Sequence, residues 1–492
     1  MSLGRLIKLS SLALLHGAAK PLPGLRQKAL QKSTNARGIP TKVTQVLATF
    51  KNSEEHLQAL RDMKALPLEA MLEVLRTDAP ELLDELESIS EKAHPASLGQ
   101  VHQVQREGEL LALKLQYPGA LQDMAFDQAW MERLSQTFST FKKGFGIEDY
   151  KKELREGLEK ELDFRAEAEA MTRFHEHFKS IEGLIIPLPI DDLAQQRYLL
   201  MTWEESQSLD AEALSERQSL DLQAALDTFF LDSLFSLMEV HADPNPGNFG
   251  VRWEGDQVQW VIYDFGAVHA LDEETRLGLL LLLKMADDRK GDPFSLLVRL
   301  GFDRTALEPI RDNLLAFLTV LFEPFLSEGR FQLNTWNRSN RTRDLLGEHR
   351  YQFMIASPAK WIGLMRALQG FFHYSELLGA GVFLRKKLEQ HFRRHAQAMT
   401  AFRESIEETP VQLSKHLHIQ VREGSSEKVK VIFRADCVEC LEELMEEETL
   451  KSLQDQGINL EDIKSKTRAN GYRPMELFTQ NMGEKTIRVF ID

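Results

Sequence analysis

The sequence predicts an α+β protein with two lobes, followed by a separate small α+β domain at the end of the chain. Three observations lead to this fold class. At 492 residues the chain exceeds what one hydrophobic core usually holds, so two or three domains are expected. Short Val- and Leu-rich runs, paired around Gly-containing turns, predict strand hairpins at three places. Between and after them, apolar residues recur at three- and four-residue steps, which is typical of amphipathic helices.

The expected elements follow one another in a definite order. They are two or three helices in residues 54–92, interrupted at Pro67 and Pro80; strands in SLGQVHQVQ and LLALKLQ around the turn REGE; long helices in residues 120–141 and 150–179; strands in IIPLPI and RYLLMTWEES; helices in residues 210–240; a hairpin in VRWEGDQVQWVIYDFG; and helices from Leu271 to about residue 405. The tail, residues 411–492, is expected to hold a strand pair around residues 424–426, then helices and a last strand, KTIRVFID.

Charge is distributed unevenly along the chain. Residues 1–53 contain nine Lys and Arg and no Asp or Glu, whereas the remainder has 51 basic against 75 acidic side chains, a net charge of −24. An acidic body argues against general binding of nucleic acid, which needs a basic face. Three interpretations of the basic head, residues 1–38, stay open: a helix lying on an anionic membrane surface, an organelle transit segment, or a solvated helix that docks on the body. No apolar run approaches the roughly 20 residues of a membrane-spanning helix.

Cysteine is nearly absent, which suits a reducing compartment. Cys437 and Cys440 form a CxxC without a second ligand pair. We interpret them as two residues on one helical face, with half a zinc site or a redox pair as the alternative.

The stretch HADPNPGN, residues 241–248, carries the strongest sign of chemistry. Asp243 and Asn248 are five residues apart, which is the offset between the catalytic Asp and the metal-binding Asn in the kinase loop H-R-D-x-x-x-x-N. Asp, Pro, Asn and Gly also form ordinary surface turns, so the rest of the chain must decide. A DFG motif with Asp264 follows, directly after a predicted strand.

Other charged residues occur in the order that phosphoryl transfer from a nucleotide requires. Lys114, in a predicted strand, would neutralise phosphates, and an acid on the next helix would keep it aimed. Glu161, Asp163 and Glu167 are the candidates for that acid. On one continuous helix Asp163 and Glu167 share a face, whereas Glu161 points about 120° away from Glu167. Not all three are therefore expected to touch the lysine. Asn248 and Asp264 offer the oxygen ligands that Mg²⁺ prefers, and Asp243 would orient or deprotonate the attacking group.

Five motifs in a fixed order resemble the UbiB (AarF) family of atypical, kinase-like proteins over roughly residues 40–380. They are PASLGQVHQV, LALKLQYPG, ELDFRAEAEAM, HADPNPGN and YDFGAV. The resemblance implies a protein-kinase-like fold with an N-terminal helical extension in residues 39–92. It implies an N-lobe in 93–205 and a C-lobe with added helices in 206–405. The small domain in 411–492 is predicted from the strand and helix pattern of the tail alone.

The resemblance also implies a role for individual residues. Lys114 matches the phosphate lysine and Glu167 its helix partner, while Glu161 and Asp163 match the E-x-D motif. The resemblance implies the remaining roles as follows: Asp243 in the catalytic loop; Asn248 and Asp264 as ligands of the metal; Ala96, Ser97 and Gly99 in the nucleotide loop; Met201, Trp203 and Glu204 in the hinge beside adenine; and Lys42 and Gln45 in the K-x-G-Q motif of the extension.

Two departures from the family pattern and one from ordinary kinases are visible. The alanine run of the nucleotide loop is His94-Pro95-Ala96-Ser97, the K-x-G-Q motif reads KVTQ with Thr in place of Gly, and Asn245 stands in the region where ordinary kinases carry a catalytic-loop lysine. Every lysine and metal position implied by the family is nevertheless filled.

The sequence therefore predicts a Mg²⁺-dependent, ATP-binding atypical kinase or ATPase. The family resemblance implies a setting in ubiquinone or isoprenoid-lipid metabolism. We expect ATP and Mg²⁺ as cofactors, a lipid or isoprenoid-quinone-related ligand, no nucleic-acid partner, and a cytoplasmic protein peripheral to a membrane unless the head directs organelle import. The alternatives are a nucleotide-gated binding module with little turnover and a membrane-associated scaffold.

Overall fold

A computed structural model describes residues 65–96, 98–118, 157, 159–407, 410–424, 426–445, 447–483 and 485–492. The expectations for the basic head, for residues 54–64 and for a helix in residues 120–141 lie outside these ranges. The strands, numbered in chain order, are β1 (Ser88–Pro95), β2 (Gly99–Arg106), β3 (Glu109–Gln116), β4 (Leu184–Ile185), β5 (Pro189–Ala194), β6 (Tyr198–Thr202), β7 (Glu239–His241), β8 (Phe249–Glu254), β9 (Gln257–Ile262), β10 (Val268–Ala270), β11 (Lys290–Gly291), β12 (Val411–Gln412), β13 (His416–Glu423), β14 (Ser426–Arg434), β15 (Met475–Met482) and β16 (Lys485–Ile491).

The α-helices are numbered in the same way over the described residues. They are α1 (Leu68–Asp78), α2 (Pro80–Glu85), α3 (Phe164–Phe178), α4 (Glu216–Asp232), α5 (Glu273–Asp288), α6 (Pro293–Arg299), α7 (Arg304–Leu307), α8 (Leu314–Leu321), α9 (Glu323–Leu326), α10 (Arg338–Leu346), α11 (Gln352–Ala356), α12 (Ile362–Leu378), α13 (Arg385–Glu404), α14 (Glu447–Asp455) and α15 (Leu460–Ala469). None of these described helices combines the length and the hydropathy needed to cross a membrane.

The chain divides into two compact units. The first contains the described residues up to Leu271 together with Ala359–Gly381, and the second contains Asp272–Pro358 and Val382–Asp492. Helix α12 therefore packs with the first unit although it is late in the sequence.

A five-stranded sheet with the order β1-β2-β3-β6-β5 begins the first unit, and its neighbouring strands are antiparallel. Strand β3 is central, and from Leu111 onward all of its residues are buried, which explains the nearly unbroken apolar run LLALKLQ. Met71 and Leu75 of α1 pack with Leu113 and Leu115 in one hydrophobic cluster on this sheet. The hairpins predicted at β2–β3 and β8–β9 are confirmed.

The β8–β9 hairpin positions the two candidate metal ligands. Phe249 pairs with Ile262 at the open end of the hairpin, and the N–H of Tyr263 donates to the carbonyl of Asn248 over 3.0 Å. Asp264 comes one residue later. Asn248 and Asp264 therefore leave the same end of one antiparallel pair.

The second unit combines helices with the sheet of the tail. Helix α5 packs against α8 and α13, and its run of leucines is almost wholly buried. The tail forms a four-stranded sheet with the order β14-β13-β16-β15. Its core includes Leu417, Val438, Leu441 and Val489.

The sequence prediction is wrong in two stretches of the strand pattern. Residues 88–95 form β1 rather than the end of a helix, because their backbone completes the edge of the sheet by pairing with β2. Residues 475–482 form β15, a strand that the sequence analysis does not contain. Both strands are at sheet edges, where the buried alternation that identifies a strand is weakest.

The long helix predicted for residues 150–179 is also interrupted. Residues 159–161 are helical, Leu162 and Asp163 are not, and α3 begins at Phe164. Asp163 is the N-cap of α3, since its side chain accepts the N–H of Arg165. The expectation that Glu161, Asp163 and Glu167 share one helix is therefore wrong, and their directions cannot be derived from a single helical wheel.

Candidate functional site

Lys114 is the centre of the candidate site. Its Nζ lies 2.5 Å from Oε1 of Glu167 on α3 and 2.9 Å from Oδ2 of Asp264 in the DFG motif. Lys114 and Glu167 are only 5% and 2% exposed, so a buried cation holds one carboxylate from α3 and one from the segment after β9. Glu167 is thus the helix partner of Lys114, as the family resemblance implies.

The charge states of this group follow from one ammonium facing two carboxylates. Burial disfavours the charged form of Lys114, but Asp264 and Glu167 outweigh it and raise the pKa of the lysine. Burial raises the pKa of Glu167 to about 7, and the carboxylate of Asp264 adds to this rise while Lys114 opposes it. The Oε2 atom of Glu167 is buried and receives no well-aligned hydrogen bond from the described residues.

Gly266 marks the place where the acidic side chains meet. A Cβ atom built on this glycine lies 3.3 Å from Oδ1 of Asp264, 3.6 Å from Cγ of Glu161 and 3.6 Å from Oε2 of Glu167. Glu161 is buried and belongs to the cluster. Asp163, the other member of the E-x-D motif, instead pairs with Arg165, whose side chain lies 2.7 Å away. The structure therefore brings Glu161, Glu167 and Asp264 together and leaves Asp163 as a helix cap.

The loop at residues 241–248 lies beside the DFG motif and is linked to it by hydrogen bonds. His241 Nε2 lies 2.6 Å from the carbonyl oxygen of Asp264 and must donate, because a carbonyl can only accept. Burial lowers the pKa of His241 despite the nearby Asp243 carboxylate, which favours the neutral ring. Asn248 Nδ2 donates to the backbone carbonyl of Asp243 over 3.2 Å, which leaves Oδ1 as the atom that this side chain offers to a cation.

Arg366 is a site residue that the sequence analysis does not identify. It lies on α12, and its Nη2 is 3.2 Å from Oδ1 of Asp243, with both side chains largely buried. Helix α12 approaches the loop closely because residue 370 is a glycine: a Cβ there would lie 2.5 Å from Cβ of Pro244. No local signal marks Arg366, since it is 123 residues away from Asp243 on a helix that reads as amphipathic.

The hinge residues lie at the end of β6 and directly after it. Met201 is buried and pairs with Ala112 of β3. The rings of Trp203 and His94 are 6.1 Å apart, centroid to centroid. Both oxygens of Glu204 have partners, with Arg252 at 2.9 Å and the hydroxyl of Thr202 at 3.3 Å, so this carboxylate supports the hinge from the side.

A tight turn joins β1 to β2 at the position of the expected nucleotide loop. The N–H of Ala96 donates to the carbonyl of Gly99 over 2.8 Å. Gly99 is required by close packing, because a Cβ there would lie 2.2 Å from the carbonyl oxygen of Leu115. Ser97, Lys42 and Gln45 are outside the described residues.

A five-stranded antiparallel sheet, a helix carrying the partner of a sheet lysine, and an Asp/Asn loop before a DFG motif together define a protein-kinase-like fold. Residues 61–291 match the family described as the ABC1 atypical kinase-like domain. This match confirms the resemblance to the UbiB/AarF family that was inferred from the sequence.

Relatives and a solved structure agree with this assignment. The chain is 24% identical over 385 residues to the rat (Rattus norvegicus) "Atypical kinase COQ8B, mitochondrial", covering 75% of this chain and 72% of that protein. It is 24% identical over 423 residues to the Arabidopsis thaliana "Protein ACTIVITY OF BC1 COMPLEX KINASE 1, chloroplastic", covering 82% of this chain but only 58% of the relative. Rv3197 from Mycobacterium tuberculosis, solved as a complex with erythromycin, has a similar fold, with a TM-score of 0.50 and 20% identity over 74% of this chain and 95% of that one.

Proposed function

We propose that this protein is a Mg²⁺-dependent, ATP-binding atypical kinase or ATPase. The observation that carries the proposal is the buried contact of Lys114 with both Glu167 and Asp264. Three separate segments, β3, α3 and the DFG motif, are joined at one cation. A structural lysine would be expected at a solvated sheet edge with one partner, whereas phosphoryl transfer needs a held cation beside a metal-binding carboxylate.

Lys114 would bind nucleotide phosphates as a point charge, and Glu167 would hold it in place. The backbone after Met201 would bind adenine, and the turn from Ala96 to Gly99 would cover the phosphates. Lys114 already neutralises Asp264, so a metal ion and the lysine must share this carboxylate.

The residues that would hold Mg²⁺ are Asp264 and Asn248. A carboxylate and an amide oxygen at one end of the β8–β9 hairpin suit a hard cation that prefers oxygen ligands. When bound, Mg²⁺ neutralises charge on the phosphate oxygens. His241 contributes by holding the backbone of Asp264 through its neutral Nε2–H.

Asp243 would orient the attacking hydroxyl or water. Its ion pair with Arg366, 3.2 Å from Oδ1, holds the carboxylate in one position, which suits a group that orients the attacking atom. The same pair favours one second candidate, a nucleotide-gated binding module with little turnover.

The family resemblance supports a setting in isoprenoid-quinone or lipid metabolism, with a lipid-related ligand and peripheral membrane contact. Two of the relatives carry "mitochondrial" and "chloroplastic" in their names. The acid-free, basic head is compatible with organelle import.

The test is the response of Asp264→Asn to MgATP. We expect this variant to lose the Mg²⁺-dependent part of its nucleotide affinity in a thermal-shift titration, because an amide is a poorer ligand for a hard dication than a carboxylate. Asp256→Asn, in the exposed β8–β9 turn, is the control and should bind like the wild type. Equal MgATP affinity in wild type and Asp264→Asn would remove Asp264 from the site. ADP release by the wild type then separates the two candidates, since a binding module gives a thermal shift without release.

A further inference from the structure

Two histidines and a carboxylate meet in the tail domain, away from the site described above. They are His416 and His418 on β13 and Asp492, which follows β16. One ring nitrogen of each histidine and one carboxylate oxygen of Asp492 lie within 4.8 Å of one another. His418 Nε2 is 2.8 Å from Oδ1 of Asp492, and His416 Nδ1 is 3.9 Å from the same oxygen.

The backbone of the sheet fixes the three residues relative to one another. His416 and Asp492 exchange two backbone hydrogen bonds of 3.0 Å, one in each direction. His416 and His418 are two residues apart on one strand, so both side chains stand on the same face. The ring of His418 stacks on Phe490 with centroids 4.7 Å apart and planes 6° from parallel, which limits its rotation.

Nε2 is the ring nitrogen that His418 presents to Asp492. In the described fold its Nε2–H donates to Asp492, while Nδ1 is buried and has no hydrogen-bond partner among the described residues. A neutral imidazole can move its proton to Nδ1, because no donor occupies that nitrogen, and then offers the Nε2 lone pair.

The neighbouring charges leave room for a cation. Arg434 is opposite His416 in the ladder, but its guanidinium pairs with Asp436 at 3.0 Å. Two imidazoles with one carboxylate form a set typical of zinc and similar first-row divalent ions rather than of Mg²⁺ or Ca²⁺.

We propose that His416, His418 and Asp492 form a site for a divalent first-row transition metal, with Zn²⁺ as the fitting ion. The site ties the end of β16 to the start of β13 and is independent of the nucleotide site. With three protein ligands, and with His416 and Asp492 about half exposed, it keeps an open coordination position. The CxxC of the tail is not part of it: Cys437 and Cys440 are free, and the Cys440 thiol faces the carbonyl of Cys437 at 3.5 Å.

The experiment is titration of chelator-treated, untagged protein with ZnCl₂ by calorimetry, in excess Mg²⁺ so that oxygen-ligand sites are saturated. A parallel Co²⁺ titration followed by visible absorption reports nitrogen ligation directly. We expect one Zn²⁺ per chain at this site and a loss of affinity of at least tenfold in each of His416→Ala, His418→Gln and Asp492→Asn. Asp492→Asn keeps the shape of the side chain, and the exposed position of His416 makes its truncation safe for folding.

Two matched controls separate this site from others. His349→Ala removes a histidine that lies 3.8 Å from the carboxylate of Glu348. Among the described residues this pair belongs to no three-ligand group, so Zn²⁺ affinity should not change. Cys437→Ser/Cys440→Ser should also leave affinity unchanged. Binding that survives all three ligand variants, or that disappears with the cysteines, would overturn the proposal. MgATP affinity should be unaltered in the ligand variants, so failure here is distinguishable from failure of the proposed function.

Discussion

At the scale of single residues, Glu167 is where burial and charge compete most directly. The side chain shares one ammonium with a second carboxylate, and burial raises its pKa to about 7. Because the folded-state pKa is above the unfolded value near 4.3, the folded protein keeps this proton over a pH range in which the unfolded chain releases it. The contribution of Glu167 to stability is therefore complete below about pH 4 and is lost as the pH rises to about 7.

Glu167→Gln should remove this pH dependence. At each pH, the quantity of interest is the unfolding free energy of the wild type minus that of Glu167→Gln. Since glutamine cannot titrate, we expect this difference to fall by about 1 to 3 kcal/mol between pH 4.5 and pH 7.5. Denaturant unfolding at several pH values measures it. Glu169→Gln, at an exposed position of the same helix, is the control. Parallel curves for wild type and Glu167→Gln would mean that Glu167 is ionised over this whole range.

At the scale of elements, the turn between β1 and β2 depends on backbone packing more than on side chains. Ala96 and Gly99 are joined by a backbone hydrogen bond, and the N–H of Tyr117 donates to the carbonyl of Leu98 over 3.0 Å. The turn is therefore held against the end of β3, two residues beyond Lys114. Pro95, the residue that replaces a family alanine, lies at the end of β1.

Gly99→Ala should disrupt this element. The new Cβ would lie 2.2 Å from the Leu115 carbonyl oxygen, and backbone atoms cannot move aside as a flexible side chain can. We expect a loss of about 2 kcal/mol or more in unfolding free energy and weaker nucleotide binding. Gly329→Ala is the control, because its Cβ would have no atom within 4 Å. Wild-type stability in Gly99→Ala would show that the backbone of Leu115 does not approach residue 99 this closely.

At the scale of the whole molecule, the family resemblance implies that the N-terminal extension packs over the kinase-like site. The resemblance implies that Lys42 and Gln45 reach the acids of the E-x-D motif. Of those two acids, Glu161 is buried beside Gly266, whereas Asp163 caps α3. Glu161 is therefore the acid that we expect Lys42 to contact.

A double-mutant cycle on Lys42→Ala and Glu161→Ala tests this contact. Breaking a buried lysine–carboxylate pair from one side costs about 3–5 kcal/mol, so each single variant should change nucleotide affinity and the double variant should be non-additive. Lys92→Ala, at an exposed position of β1, replaces Lys42→Ala in the control cycle and should be additive with Glu161→Ala. Strict additivity of Lys42→Ala with Glu161→Ala would mean that the extension does not reach Glu161.

Much of the fold was predictable because local patterns carry it. In the hairpins at β2–β3 and β8–β9, alternating or continuous apolar residues flank Gly-containing turns, and both hairpins are present as predicted. Strands β1 and β15 were not predicted, because an edge strand is specified by pairing with its neighbour rather than by alternation in its own sequence.

The sequence by itself determined the order of the motifs, and hence the resemblance to the UbiB/AarF family. That resemblance implied Glu167 as the partner of Lys114, and the structure shows the contact. Only the tertiary structure decided that Glu161 rather than Asp163 joins the acidic cluster, because that depends on where one helix ends and the next begins. It also decided that Arg366 pairs with Asp243 and that His416 and His418 meet Asp492. These contacts join residues 74 to 123 positions apart, and the packing of whole elements creates them, which no local periodicity encodes.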